Sequence, residues 1–442
     1  MDNRTFYLML ICLIILCGLA CNQDSQDNQY KTSKSEHSTT KIFQKVASSA
    51  SNIDFENKII DYSDAHINKF DYYYNGGGVA IGDINNDGLP DIYFAGNLIS
   101  NKLYLNKGDF VFEDISEKAG VSDDESWSNG VSMLDINLDG WLDIFVCHGG
   151  IESKYSNKRQ NHLYINNQDG TFSEKAKEYG LVDNSYSSQI AQIDFDLDGD
   201  LDIFLMNHVD FKNRFRSQLK AYDRAKAIVE FRKEPKMAET FSNMLYVNNG
   251  NQQFSRTSVN LPENRWGYGL GIAISDLNKD SKPDIYIAND YQIPDYVYYN
   301  QGNGKFKEVN KEVIGHTPLF SMGCDVADLN NDTWPDIVNV DMVASDRVRN
   351  KTLMRSMDVN KFYYYVEQLD YQKQYMYNVM QVNNGNGTFS DIGQLSGTTQ
   401  TDWSWIALLA DFDLDSDKDY FISNGFRKDT KNRDIQQTYK MI

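Results

Sequence analysis

Six times along the chain, acidic or amide side chains recur at every second position and are closed by an aspartate four residues further on. The six sets are Asp83, Asn85, Asp87 and Asp91; Asp135, Asn137, Asp139 and Asp143; Asp194, Asp196, Asp198 and Asp202; Asp276, Asn278, Asp280 and Asp284; Asp328, Asn330, Asp332 and Asp336; and Asp411, Asp413, Asp415 and Asp419. This donor set suits a hard cation. Calcium takes six to eight oxygens in a flexible cage, whereas magnesium demands a rigid octahedron and keeps its waters. Positions one, three and five turn their oxygens inward, position seven offers a carbonyl, and position nine closes the cage. Position six must make a sharp turn. It is Gly88, Gly140 and Gly199 in the first three loops but Ser281, Thr333 and Ser416 in the others. A side chain at positive φ costs ~1 kcal/mol, so loops four to six are expected to hold calcium less well. One such loop is an acidic turn; six in register define a repeat, with up to six bound Ca2+.

The flanks set the fold class. Val79-Ala80-Ile81 precedes the first loop, and Asp91-Ile92-Tyr93-Phe94 leaves it. Runs of this kind, short, β-branched and aromatic, are strands and not the helices of an EF-hand. Each loop is followed by a unit such as Asn101-Lys102-Leu103-Tyr104-Leu105-Asn106 or Asn161-His162-Leu163-Tyr164-Ile165-Asn166. A glycine turn and a phenylalanine strand come next, as in Asp169-Gly170-Thr171-Phe172. One repeat is therefore four antiparallel strands with a metal loop between the first and second. First aspartates are 52, 59, 82, 52 and 83 residues apart. That spacing predicts an all-β chain folded as a β-propeller of four-stranded blades, with helical insertions over about 209–241 and 342–378.

These loops and the Asn-x-Leu-Tyr-x-Asn and Asn-Gly-Thr-Phe units resemble FG-GAP/VCBS repeats of integrin-α-type propellers. More narrowly, residues 41–442 resemble long bacterial exported proteins with a seven-bladed propeller and a small C-terminal β-domain. Only six repeats are seen, so the resemblance implies an incomplete ring. Blade six is expected to have two strands, Arg427–Ile442 to form a helical tail, and Lys41–Val46 to add an outer strand to the last blade.

The N-terminus bears on compartment. The apolar run Phe6–Ala20 follows Arg4 and is too short for a comfortable membrane span. It ends Gly18-Leu19-Ala20-Cys21, which resembles the lipobox of bacterial lipoproteins, with Gly18 where that motif usually has leucine. The resemblance implies a signal peptide over 1–20, lipid on Cys21, a flexible tether over 21–40, and export to the bacterial outer membrane. Contact with the membrane is then through the lipid alone. A charge of −20, from 43 Lys+Arg against 63 Asp+Glu, argues against nucleic acid or an anionic bilayer as partner. Five cysteines make no disulfide scaffold, and Cys147 and Cys324 read as buried thiols.

Strand alternation puts the six metal loops at one end of the blades and both insertions at the other, where binding is expected. The first insertion is rich in Lys and Arg; the second carries Phe362, Tyr363, Tyr364, Tyr365, Tyr371, Tyr375 and Tyr377. Aromatics eight residues ahead of five loops (Trp127, Tyr186, Tyr268, Phe320, Trp403) read as blade packing before sugar stacking. Asn97, His148, His208, Asp290, Asp341 and Asn424, at the far ends of second strands, read as satisfied loop hydrogen bonds before a ligand ring. No nucleophile triad, zinc-ligand spacing or phosphate loop appears, so no catalytic residue is assigned. The expectation is a calcium-stabilised envelope lipoprotein whose propeller binds glycan or protein without catalysis. Its rivals are a polysaccharide-active lyase or hydrolase and an adhesion or assembly module.

Overall fold

The computed structural model describes residues 43–425, without 64, 68–69, 71, 124–125, 151–158, 209–240, 263–265, 292 and 354–356, together with 432 and 434. The lipobox with Cys21, nearly all of the first insertion, and most of the C-terminal tail lie outside the described residues. The chain divides into two compact units, 1–45 and 46–442, and the second contains all six repeats.

Four series of strands repeat. The first strands are Val79–Gly82, Ser128–Leu134, Ser187–Ile193, Gly269–Ser275, Cys324–Ala327 and Asp402–Ala410. The second are Asp91–Phe94, Asp143–His148, Asp202–Asn207, Asp284–Asn289, Asp336–Asn339 and Asp419–Asn424, each opening on the ninth residue of its loop. The third are Lys102–Asn106, His162–Asn166, Met244–Asn248, Tyr296–Asn300 and Val379–Asn383, each closing on asparagine. The fourth, Phe112–Asp114, Phe172–Glu174, Phe254–Thr257, Phe306–Glu308 and Phe389–Asp391, each open on phenylalanine. All pair antiparallel, giving five complete blades; the sixth has its first two strands, flanked by the short strand Met342–Val343. This is the expected all-β propeller.

Blades pack through their first strands, and small residues set how closely. A Cβ on Gly130 would lie 2.5 Å from the Ser188 carbonyl oxygen of blade three. One on Gly323 would lie 2.4 Å from the Trp405 carbonyl oxygen of blade six. Ala80 of blade one joins Val131, Ile144 and Val146 of blade two in one apolar cluster. The two outermost faces have no such cover: Val79 and Ile81 are 53% and 65% exposed, Ile406 and Leu408 49% and 46%. The strands carrying them do not pack on one another as the other first strands do.

The N-terminal expectation needs correction. Residues 43–46 form no strand, and 41–42 lie outside the described residues. From Ile59 onward the chain runs instead into the main apolar cluster, where Ile59, Ile67, Phe70, Tyr72 and Tyr73 are buried. The Phe70 ring meets Trp127 edge-on at 5.6 Å, Tyr73 lies 5.2 Å from Trp127, and Tyr72 lies 5.2 Å from His208. Burying three aromatic rings there removes more apolar surface from water than a short edge strand would.

Candidate metal loops and the opposite face

The six loops share one backbone path. Position four has positive φ throughout, at Asn86, Leu138, Leu197, Lys279, Asn331 and Leu414. Position six does too, with Gly88 at 84°, Gly140 at 84° and Gly199 at 94°. Ser281 at 66°, Thr333 at 74° and Ser416 at 80° adopt the same conformation with a Cβ. Position six donates its N–H to the first aspartate in every loop, as from Gly88 to Asp83 (2.7 Å) and from Thr333 to Asp328 (2.7 Å).

The ninth aspartate does double duty. In the first blade the N–H of Ile84 donates to Asp91 Oδ2 (3.0 Å) and the N–H of Asn106 to Asp91 Oδ1 (2.7 Å). Asp143, Asp202, Asp284 and Asp336 repeat the arrangement and, like Asp91, are fully buried. Burial first, and the neighbouring loop carboxylates, push Asp143, Asp202 and Asp284 up to about 7 against the pull of those N–H donors. A nearby cation would reverse that cost.

The loops differ in how their oxygens converge. In loop three Asp194, Asp196 and Asp202 bring oxygens within 4.8 Å of one another, and in loop six Asp411, Asp413 and Asp419 do the same. Oδ1 of both Asp194 and Asp196 is buried with no hydrogen bond, so the all-oxygen cage suits a hard cation. In loops one, two and five the amide at position three donates to the carboxylate at position five: Asn85 to Asp87 (2.9 Å), Asn137 to Asp139 (3.1 Å), Asn330 to Asp332 (3.0 Å). In loop four Lys282 Nζ lies 2.5 Å from Asp280 Oδ2, placing a cation of the chain's own on a cage oxygen. Sequence reasoning read Ser281 as the weakness of that loop and overlooked Lys282 beside it.

At the other end, four of the five aromatics are buried as packing: Trp127, Tyr186, Tyr268 and Trp403 are nearly inaccessible, while Phe320 is half-buried. The polar series is mostly satisfied. Asn97 donates to the Ser128 carbonyl and accepts from Asn57, Asp290 accepts from Tyr72, and Asp341 accepts from the N–H groups of Leu319, Phe320 and Met342. His148 departs from this pattern.

The second insertion folds over this end as the helices Arg347–Leu353 and Val359–Tyr363 and a π-turn at Tyr364–Gln368. Its returning strand Gln374–Tyr375 pairs parallel with Thr317–Pro318. The rings of Phe362 and Tyr375 stack at 5.6 Å, and those of Tyr375 and Tyr377 at 6.0 Å. His316 meets Tyr375 edge-on at 5.2 Å, and its Nε2 lies 3.1 Å from both Asp391 Oδ2 and the Tyr377 hydroxyl. Asp358, Asn360, Tyr363, Tyr364, Glu367 and Gln368 line a shallow pocket of about 430 Å³ beside them.

Residues 83–146, 151–205 and 276–338 match the FG-GAP-like repeat. The β-propeller thus carries FG-GAP-like repeats over those three stretches. The chain is 32% identical over 136 residues to cartilage acidic protein 1 of Xenopus tropicalis, covering 30% of this chain and 20% of that protein. Against the Homo sapiens protein of the same name it is 38% identical over 72 residues, covering 16% and 11%. The chain thus spans a fifth or less of the curated relatives it matches. Among solved structures, a lectin of Agrocybe aegerita is similar at a TM-score of 0.41 and 17% identity, covering 77% of this chain and 73% of the lectin.

Proposed function

We propose that this chain is a calcium-stabilised propeller, held by lipid on Cys21 at the bacterial outer membrane, that presents a non-catalytic binding face to glycan or protein. The observation that carries the reading is the division of labour between the two ends of the blades. One end holds six acidic loops of shared geometry; the other gathers the stacked rings of Phe362, Tyr375 and Tyr377 on the folded insertion. Calcium would be held by the loop oxygens, with Asp194, Asp196, Asp198 and Asp202 the best donor set. Its role is structural: it neutralises the buried ninth carboxylates that tie second strand to third. Stacked aromatics beside polar groups suit a sugar ring or an aromatic-bearing peptide, since a flat apolar face and a nearby hydrogen-bonding edge are both on offer.

The reading of a polysaccharide-active enzyme draws on His316, placed between Asp391 and Tyr377, as a potential proton-transfer group. One screen separates the two. Cell-wall and plant polysaccharides, and envelope protein extracts, are passed over the immobilised protein and scored for retention and for product. Retention without product, weakened tenfold or more by Tyr375→Ala, is the expected result. Release of unsaturated or new reducing ends would overturn the non-catalytic reading. Membrane partitioning that survives Cys21→Ala would overturn the lipid anchor.

A further inference from the structure

We propose a second kind of metal site, for a zinc-class divalent ion, formed by Asp123, His148 and His162 at the end of blade two away from the calcium-type loops. None of the six acidic loops contributes to it.

The register explains the assembly. Val146 pairs with His162 across the second and third strands of blade two. His148 stands two residues past Val146, so both imidazoles lie on one face of the sheet, on adjacent strands. Their ring centroids are 4.8 Å apart. Asp123 arrives from the connection between blades one and two, with Oδ2 2.7 Å from His148 Nε2 and 3.4 Å from His162 Nδ1. One ligand atom from each of the three lies within 4.8 Å of the others. Three donors at zinc–ligand distances of ~2.0–2.1 Å in a tetrahedral site would be ~3.3 Å apart, so small side-chain movements suffice.

Two observations set this cluster apart from ordinary loop hydrogen bonding. His148 is fully buried, yet neither of its ring nitrogens is hydrogen-bonded to a described residue; the 2.7 Å approach to Asp123 lacks hydrogen-bond alignment, and Asp123 Oδ2 is itself unsatisfied. The corresponding aspartate one blade on, Asp183, is closed off. It accepts from the Tyr246 hydroxyl (2.6 Å) and the Ser185 N–H (2.6 Å), and pairs with Arg256 at 3.3 Å. By strand position His148 and His162 correspond to Asn207 and Met244 of blade three, while Tyr246 and Arg256 correspond to Tyr164 and Glu174 of blade two.

Supporting contacts are in place. Ser126 Oγ donates to Asp123 Oδ1 (2.8 Å) and orients the carboxylate. The Tyr164 hydroxyl lies 3.0 Å from His162 Nδ1, so a metal on that nitrogen replaces the contact and one on Nε2 keeps it as outer support. Two nitrogens and one carboxylate oxygen are the ligand class of zinc sites that keep a fourth position open. His162, with a quarter of its side chain exposed, marks the solvent side of the site. Cys147, next to His148 in sequence, packs into a different apolar cluster on the other face and takes no part.

The probe is Co2+, added to untagged full-length protein in excess calcium so that the acidic loops are already filled. The expected result is one equivalent of cobalt giving the intense visible absorption of a four- or five-coordinate ion, without sulfur charge transfer, and displaced by Zn2+. His162→Gln, at a partly exposed position, should weaken cobalt binding at least tenfold while leaving circular dichroism and calcium-dependent melting unchanged. Asp123→Asn should do the same. No zinc-displaceable cobalt binding in excess calcium would overturn the site, as would binding that His162→Gln and Asp123→Asn both leave intact in folded protein.

Discussion

The side-chain amide of Asn166 donates to the carbonyl of Ile84, 2.8 Å away in the acidic loop of the preceding blade. Asn300 reaches Phe195 and Asn383 reaches Leu277 in the same way, at 2.8 and 2.9 Å. The N–H of each asparagine holds the ninth aspartate of its own loop. Acidic loop, third strand and neighbouring blade are thereby one hydrogen-bonded unit. Asn166→Ala should cost about 1–3 kcal/mol, because it leaves buried acceptors without donors. Thermal melting checks this, and the loss should exceed that of Asn167→Ala, whose side chain bonds to Thr171 and Ser173 across an exposed hairpin.

Calcium should stabilise the chain, and unequally by loop. At free calcium tenfold above each dissociation constant, one site contributes ~1.4 kcal/mol and six would contribute roughly 8 kcal/mol. Chelation is expected to lower the melting temperature sharply, with magnesium a poor substitute. Asp87→Ala or Asp139→Ala should hurt more than Asp280→Ala, because Lys282 already neutralises Asp280 in loop four. Lys282→Ala should raise the number of tightly bound calcium ions seen by titration calorimetry. An unchanged melting curve in excess EDTA would remove calcium from the account.

Asp295 should make stability pH-dependent. It stands where the other repeats have Asn101, Asn161, Asn243 and Asn378, accepting from Tyr286 (2.6 Å), Asn339 (2.8 Å) and the Asn289 N–H (2.9 Å). Burial pushes it up to about 7, and likewise Asp341. The folded state therefore holds protons that the unfolded chain releases near pH 4. The stability tied to them is complete below pH 4 and is lost as pH rises to 7. Asp295→Asn, with an Asn339 flip presenting its unsatisfied oxygen, should gain on the order of 1 kcal/mol at pH 8 and flatten the slope. Denaturant melts from pH 4 to 8 in saturating calcium would show no difference in slope if Asp295 is ionised at little cost.

The two outer apolar faces should promote self-association. Val79 and Ile81 at one end and Ile406 and Leu408 at the other are the exposed equivalents of side chains that other blades cover. Ile81→Lys with Ile406→Lys should shift the chain toward monomer in light scattering, with the blades intact by circular dichroism. A monodisperse unmodified monomer would show that these faces are harmless.

Legibility in the sequence followed the range of the forces involved. The loops, their sixth-position turns and the strand boundaries were readable because each depends on residues within nine positions of one another. Lys282 was missed although local, because a charge next to an acidic set reads as solvated surface until its Nζ is seen on Asp280. The fate of residues 59–73 was not readable: an apolar stretch ahead of a repeat fits an outer strand as well as a core segment. Tyr72 finds Asp290 across 218 positions, and only packing selects that contact.

What the sequence by itself determined is the repeat, since spacing two for carboxylates and spacing two for strand faces are properties of the local backbone. It also determined that six acidic loops would stand at one end, because antiparallel strands alternate direction. The tertiary structure alone decided which blade faces meet, where the N-terminal aromatics settle, and that Asp123, His148 and His162 come together. Those outcomes rest on register between strands and on close approach between blades, where a shift of one residue would turn every side chain to the other face.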